Sequence, residues 1–312
     1  MSAPAERVLR LGHRPLKHAR LSVLTPFRGD DPSPLLERLA GAPSDAEFVL
    51  LDDGSADAAL LERVAKAGEA LGARVSIIVW ADNRGRAAAR NRLLGEAQGE
   101  YVLFLDADML PDAPDFLARW LDVIQRQRPF VACGGLSLAQ AEPTPRAALH
   151  YHLFARSDCR SVRARERDPA QFTASANLLV RRDFLTDIPF DSGFKGWGWE
   201  DVDWALRASQ HAPILHVDNT ATHAGLDTID TLLRKSAEAG PNFARLARNH
   251  PRAVTRFMSH RIARALQFAP LRQLWRPLCA WLARDPMQAI PMSLRCIALK
   301  LYRASFYAEH LP

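Results

Sequence analysis

Tyr101–Asp108 reads YVLFLDAD. The run Tyr101–Leu105 is apolar and strand-forming. Asp106 and Asp108 follow it, with Ala107 between them. A short run without polar alternation marks a strand covered on both faces, as in a parallel sheet. An unpaired carboxylate is costly away from water, so such a strand should reach an opening where its acids begin. In open α/β sheets that opening is the crevice at the carboxyl ends of the strands. Two carboxylates one residue apart can hold a hard divalent cation, and the cation a diphosphate. D-x-D alone is common, and a solvated turn at a strand end explains it equally well. The rest of the chain decides between the two.

Upstream, the same pattern repeats. Leu21–Thr25 is a strand broken by Pro26, and a helix over 32–40 follows with Asp31 placed to cap it. Glu47–Leu51 is a second strand that ends in Asp52-Asp53-Gly54-Ser55. A helix over 56–71 and a strand over Arg74–Trp80 come next. The loop Asp82-Asn83-Arg84-Gly85 opens a helix over 86–97, and a free helix N-terminus with Arg nearby suits an anion. A further helix over 115–127 and a strand over 130–136 complete the series. This alternation predicts right-handed βαβ units and a mostly parallel sheet. Both acid pairs then share one sheet edge, where Thr25 and Pro26 also end a strand. Residues 139–170, rich in Arg, Pro and His, read as a mobile or substrate-facing loop. A turn and N-cap remain the plain reading of Asp52–Ser55.

The second half carries Phe172–Val180, a strand with polar Asn177 inside it, which needs a partner and suits a ligand. Then comes Phe194–Trp204, FKGWGWEDVDW. Its glycines permit close approach, and Trp197 and Trp199 offer flat faces to a sugar ring. Glu200, Asp201 and Asp203 open a helix, where the dipole favours acids. Helix capping needs one acid, not three. His223 follows a strand over 214–217 and can serve as a metal ligand, although a lone His is more often structural.

The motifs TPF at 25–27, LDDGSAD at 51–57, DNRGRAAARN at 82–91 and FLDADM at 104–109 resemble the family 2 glycosyltransferases of the GT-A fold. GWGWEDVD at 196–203 is similar to the C-terminal segment of β-1,4-galactosyltransferases and chondroitin-polymerase-like enzymes. The resemblance spans residues 18–226. It implies an α/β, mostly parallel sheet flanked by helices, with a C-terminal helical extension. It also implies a metal-dependent, inverting transfer of a hexosyl or N-acetylhexosaminyl group from a UDP-sugar to a saccharide hydroxyl, in polysaccharide or glycoconjugate synthesis. By position, Asp52 and Asp53 contact the base, Thr25 and Pro26 line its pocket, and Arg84 lies near the nucleotide. Asp106 meets ribose or metal. Asp108 and His223 ligate Mn²⁺ or Mg²⁺. Trp197 stacks on a sugar, Glu200 binds sugar hydroxyls and Asp201 is the base. Trp199 stands where a second Gly is usual, and Val202 where an acid is usual.

The totals allow one large domain or two modest ones. The chain has 312 residues, 48% hydrophobic and 24% charged. The four cysteines lack metal spacing and read as free thiols in a reducing compartment. No signal peptide or spanning segment is evident, which suits a cytoplasmic protein. Residues 231–312 carry 14 Lys+Arg against 3 Asp+Glu, a balance of +11, while the remainder balances at −5. That tail reads as a basic helical extension packed on the catalytic domain, or as a peripheral contact with the inner face of the membrane. An acidic glycan would be attracted too. No base-reading motif points to nucleic acid. The divisions expected are a basic leader over 1–20, a catalytic domain over 21–226 with halves meeting at 136/137, and the extension over 227–312. GxGxxG is absent after the first strand, which argues against a dehydrogenase. TPFRGDDPSP stands where a nucleotidyltransferase has its glycine-rich loop. A non-catalytic nucleotide-sugar-binding relative is the other alternative, disfavoured by the joint presence of Asp106, Asp108, Glu200, Asp201 and His223.

Overall fold

The first element falls inside the expected leader. In the computed structural model, which describes residues 6–11, 19–268 and 272–311, β1 (Glu6–Leu11) forms an edge strand. The rest of the leader, 1–5 and 12–18, lies outside the described residues. Strand β1 runs antiparallel to a later strand, from Glu6 opposite Trp80 to Leu11 opposite Val75. Its anchor is Glu6, which accepts from the Trp80 indole at 2.7 Å and from Arg92 at 2.7 Å. Scattered charges hid this strand, yet two of them have fixed partners: Glu6 as above, and Arg10, which donates to Glu96 at 2.9 Å.

The expected series follows: β2 (Leu21–Phe27), α1 (Ser33–Arg38), β3 (Ala46–Asp53), α2 (Ala58–Ala70), β4 (Arg74–Trp80), α3 (Arg86–Glu96) and β5 (Tyr101–Leu105). Strands β4, β3, β2 and β5 are parallel neighbours. Then come β6 (Met109–Pro111), α4 (Phe116–Gln127), β7 (Val131–Cys133) and β8 (Leu136–Ser137). The single strand expected over 130–136 is thus two. Gly134 and Gly135 turn the chain between them, and Gly135 has φ +88°, a conformation open chiefly to glycine. The segment read as a loop over 139–170 contains α5 (Ala148–Ser157) and α6 (Val162–Arg165). Its Arg165 is buried and donates to the Cys133 and Val217 carbonyls.

Strand β9 (Asn177–Arg181) is antiparallel to both β5 and β7, so the sheet is mixed. The chain continues through α7 (Arg182–Asp187), α8 (Glu200–Ala208), β10 (Ile214–His216) and β11 (Ala221–His223). The eight-stranded sheet has the order β1-β4-β3-β2-β5-β9-β7-β10, and β6-β11-β8 form a small second sheet. Helices α9 (Ile229–Asn249), α10 (Pro251–Val254), α11 (Met258–Gln267), α12 (Arg272–Arg284) and α13 (Met292–His310) end the fold.

Period-2 alternation sends the strand residues to two cores. Leu24, Val49, Leu51, Ile78, Val102 and Phe104 meet α3, α8 and α9 on one face. Val23, Phe48, Leu50, Ile77, Leu103 and Leu105 meet α1, α2 and α4 on the other. Burying each such side chain is worth about 1.5–3 kcal/mol. Phe243 of α9 and Tyr307 of α13 belong to the first core, so the C-terminal helices share the packing of the sheet. Among the described residues no helix is long and apolar enough to cross a membrane.

Candidate active site

The parallel strands end at a cleft of about 400 Å³. Pro26 and Phe27 reach it from β2, Asp53 from β3, Arg86 and Arg90 from α3, and Asp106 and Asp108 from the turn after β5. Trp197 closes one side. Arg234, Lys235 and Glu238 of α9 form a wall that the sequence reading had assigned to a separate extension.

Asp52 and Asp53 part company because successive strand residues point to opposite faces. Asp53 lines the cleft, and its carboxylate accepts from the Arg84 N–H at 2.6 Å and the Gly85 N–H at 2.9 Å. Gly54 makes this possible. With φ +76° it lets loop 82–85 cross so closely that a Cβ would lie 2.7 Å from the Asn83 nitrogen. Burial pushes the Asp53 carboxyl above its ordinary range, and the two N–H donors oppose that. Asp52 is buried and accepts from the Ser55 N–H at 2.8 Å, so it is a turn cap and does not face the cleft. Thr25 is buried within β2, beside Pro26 rather than on the cleft wall. The side chain of Arg84 lies over the Trp80 ring, with its guanidinium carbon 4.5 Å from the centroid. The cations of the cleft lining are instead Arg28, Arg86, Arg90, Arg234 and Lys235.

Arg90 organises the middle of the site. It is 1% exposed and reaches Asp106 at 3.0 Å, Glu200 at 3.2 Å and Asp201 at 3.5 Å. Burial raises the Asp106 pKa, but the guanidiniums of Arg90 and Arg86 outweigh it and hold the carboxyl below its ordinary value. Glu200 is buried against Arg90 and has no free face for sugar hydroxyls. Asp201 keeps 27% of its side chain exposed. It accepts from the Ser175 hydroxyl at 2.7 Å and the Ser175 N–H at 3.2 Å. Burial, then the charge of Glu200, push its pKa up to about 6, against the pull of Arg90 and Ser175. Asp203, the third acid of that turn, is fully buried and accepts from Arg207, Asn249 and His250. It ties α8 to the end of α9.

Asp108 and His223 meet where β11 pairs with β6. The Asp108 Oδ2 lies 3.3 Å from the His223 Nε2, with side chains 26% and 18% exposed. Phe154 of α5 stacks on the imidazole at 4.8 Å. Gly225 passes so close that a Cβ would lie 2.1 Å from the Asp108 carboxylate, which fixes its direction. An octahedral cation with bonds near 2.1 Å sets neighbouring donors about 3 Å apart. One carboxylate oxygen and one imidazole nitrogen at 3.3 Å therefore suit two corners of such a shell. Asp106 does not complete a trio, since Arg90 holds it. Among the described residues no three His, Cys, Asp or Glu side chains converge on one metal position.

Two expected sugar contacts lie elsewhere. Asn177 is fully buried, and its amide donates to the Gly135 and Asn219 carbonyls at 2.9 and 2.8 Å. Its partner is backbone, and it clips β9 to two turns. Trp199 adopts φ +75° and packs against Phe243 and Phe257, with its indole donating to the Tyr307 hydroxyl at 3.1 Å. It anchors the C-terminal helices. The sequence carries a signal for Arg86 and Arg90: a spacing of four puts both on one face of a helix that starts at the cleft.

Comparison with known proteins follows this geometry. Among solved structures, the mannosyltransferase PcManGT of Pyrobaculum calidifontis, in complex with GDP-Man and Mn²⁺, aligns at TM-score 0.56 with 18% identity. The alignment covers 95% of this chain and 90% of that one. S. aureus TarS 1–349, in complex with UDP-GlcNAc, aligns at TM-score 0.53 with 20% identity, covering 91% and 89%. At such identities the likeness shows the fold, GT-A. Dodecaprenyl-phosphate galacturonate synthase of Rhizobium johnstonii is 32% identical over 107 residues, which is 32% of this chain and 31% of that protein. Succinoglycan biosynthesis protein ExoU of Rhizobium meliloti is 31% identical over 115 residues, 33% and 32% of the two chains. The matches thus span about a third of the length of these curated relatives. The family model "Glycosyl transferase family 2" matches residues 33–188, half of the chain. With its strand-end acids on one cleft and that match over half of its length, the chain belongs to glycosyl transferase family 2.

Proposed function

We propose that the protein transfers a hexosyl or N-acetylhexosaminyl group from a UDP-sugar to a saccharide hydroxyl, with inversion and with a divalent cation. The observation that carries this reading is the convergence of Asp53, Arg86, Asp106 and Asp108 on one cleft that an Asp108–His223 pair borders. Asp53, braced by two backbone N–H groups, accepts from the base of the donor. Arg28 and Arg86 face the diphosphate. Asp108 and His223 would hold Mn²⁺ or Mg²⁺, with donor oxygens and water completing the shell. The cation, when bound, offsets charge that develops on the departing diphosphate. The solved relative with GDP-Man and Mn²⁺ supports a nucleotide-sugar donor and a metal.

Asp201 takes the proton from the acceptor hydroxyl as that oxygen attacks the anomeric carbon. Its raised pKa brings it towards the range in which a base works best. Ser175 and Arg90 fix its direction. Trp197 presents its ring to the sugar, as in the galactosyltransferase-type segment that 196–203 resembles. The acceptor belongs to a surface polysaccharide or glycoconjugate, and the basic C-terminal helices keep the enzyme at the membrane where such chains grow.

The test is nucleotide release from a panel of UDP-sugars and GDP-sugars, with Mn²⁺, Mg²⁺ or a chelator. Release from one UDP-sugar, abolished by the chelator, is the expected result. Folded protein that releases nothing from any donor ends the reading, and release unaffected by the chelator removes the metal from it.

A further inference from the structure

Helix α12 carries Trp275, Leu278 and Trp281 at intervals of three, and they remain 46%, 57% and 45% exposed. Helix α13 adds Leu294 and Ile297, both more than half exposed. Ala280 and Ala283 of α12 and Cys296 and Leu299 of α13 point the other way, into a cluster with Leu232 and Leu233 of α9. The exposed residues are thus the outer stripes of two helices whose inner stripes are packed. Two contacts set the helices antiparallel: Arg295 donates to the Ala283 carbonyl at 3.1 Å, and Arg276 to the Ser305 hydroxyl at 2.9 Å.

Large apolar groups gathered on one face mark a contact surface. The charge says with what. Residues 258–310, which form the last three helices, carry 8 Lys+Arg against 2 Asp+Glu, a balance of +6. An isologous pairing of two copies would set this charge against itself, whereas an anionic surface is attracted to it. Trp and Arg beside each other suit the headgroup depth of a bilayer, where the ring is apolar and its N–H stays wet. None of the described helices can span, so the segment would lie on the surface.

We propose that the outer face of the α12–α13 hairpin docks on an anionic lipid leaflet. Trp275, Leu278, Trp281, Leu294 and Ile297 enter the interface, and the net positive charge of the surrounding helices draws the anionic headgroups. This deepens the membrane placement given to the C-terminal helices under the proposed function, and it does not depend on which sugar is moved.

The test floats the full chain with vesicles of phosphatidylcholine alone or of phosphatidylcholine with phosphatidylglycerol. Binding to the anionic vesicles only, weakened by high salt, is the expected result. The double variant Leu278→Gln/Trp281→Ser should bind those vesicles at least about tenfold more weakly. Its thermal midpoint and its nucleotide release in free solution should match the parent protein. A second variant, Leu294→Gln/Ile297→Gln, changes the exposed stripe of the other helix and guards against misfolding in the first. Brominated lipid should quench the tryptophan emission of the parent protein but less that of Trp275→Phe/Trp281→Phe. No flotation with anionic vesicles, flotation unchanged in both folded double variants, or a stable dimer that these variants break would overturn the docking face. Flotation without any nucleotide release would sink the proposed reaction and leave the docking face standing.

Discussion

Arg90 and the Asp108–His223 pair border the same cleft, yet they differ in what they have left to give. Arg90 is 1% exposed and is shared among three carboxylates. Asp108 and His223 stay partly open, and their polar tips face each other at 3.3 Å. A buried network whose charges answer one another holds its members in place. An open pair of donors can still take a ligand. The lesson is that acids close in sequence divide into those that are anchored and those that remain available. Asp106 belongs to the first group and Asp108 to the second, although Ala107 alone separates them.

The sharpest way to break this contrast is Arg90→Leu. It leaves Glu200 without its bonded cation and Asp106 with Arg86 alone, and removing one partner of a buried pair costs about 3–5 kcal/mol. Urea unfolding should show that loss, with activity abolished. A variant as stable as the parent protein would mean that the network anchors nothing.

Next in size is Asp201→Asn, which should cut turnover by ~10²–10⁴ if the carboxylate is the base while donor binding persists. The parent enzyme should lose activity as pH falls through about 6, where Asp201 gains its proton. Stability runs the other way. The folded pKa of about 6 lies above the ordinary value of 3.8, so the folded protein favours the protonated carboxyl. The penalty is absent below the ordinary value, grows between the two, and is full above about 6. Asp201→Asn should therefore melt higher than the parent protein at neutral pH, and at the same temperature in strong acid. Partial exposure trims the gain, since water screens the open side. Equal melting temperatures at both pH values would contradict the strained carboxylate.

These outcomes bear on how much a chain discloses before it is folded. Strands β2 to β5 were legible because a doubly covered strand needs an unbroken apolar run, and Asp53, Asp106 and Asp108, which follow such runs, reach the cleft. The faces of Asp52 and Asp53 were legible too, since adjacent strand residues diverge, but the motif was read as a pair. Direction was not legible in β9, because composition does not encode whether a strand runs with or against its neighbour. Arg165 sits in the charged run RSVRARERD, which reads as solvated until three β-strand ends and turns offer it carbonyls. Asn177 did announce its need for a partner, and the partner proved to be backbone. The wall formed by α9 was hidden because it lies in a segment whose net charge suggested a separate role.

A smaller effect is expected at the open pair. His223→Ala should raise the Mn²⁺ concentration for half-maximal activity by at least about tenfold. It should leave urea stability within about 1 kcal/mol, because a partly exposed polar contact contributes little. Loss of folding in this variant, or an unchanged Mn²⁺ requirement, would erase the distinction from Arg90.

The smallest effect separates a side chain from its own backbone. Arg84 was expected near the nucleotide, but its guanidinium covers Trp80 while its N–H braces Asp53 at 2.6 Å. Arg84→Ala keeps that N–H and removes an exposed ring contact worth about 0.5–1 kcal/mol. Donor KM should then stay within about threefold of the parent value, since binding changes only as far as Asp53 moves. Arg84→Pro has no N–H to give, so Asp53 would keep Gly85 as its brace, and donor KM should rise more than in the alanine variant. Measuring both variants alongside Arg86→Ala completes the comparison. If the alanine variant weakens the donor as much as the proline variant does, the Arg84 side chain is itself a donor contact. The cation in the cleft would then be the one that the motif DNRG had suggested.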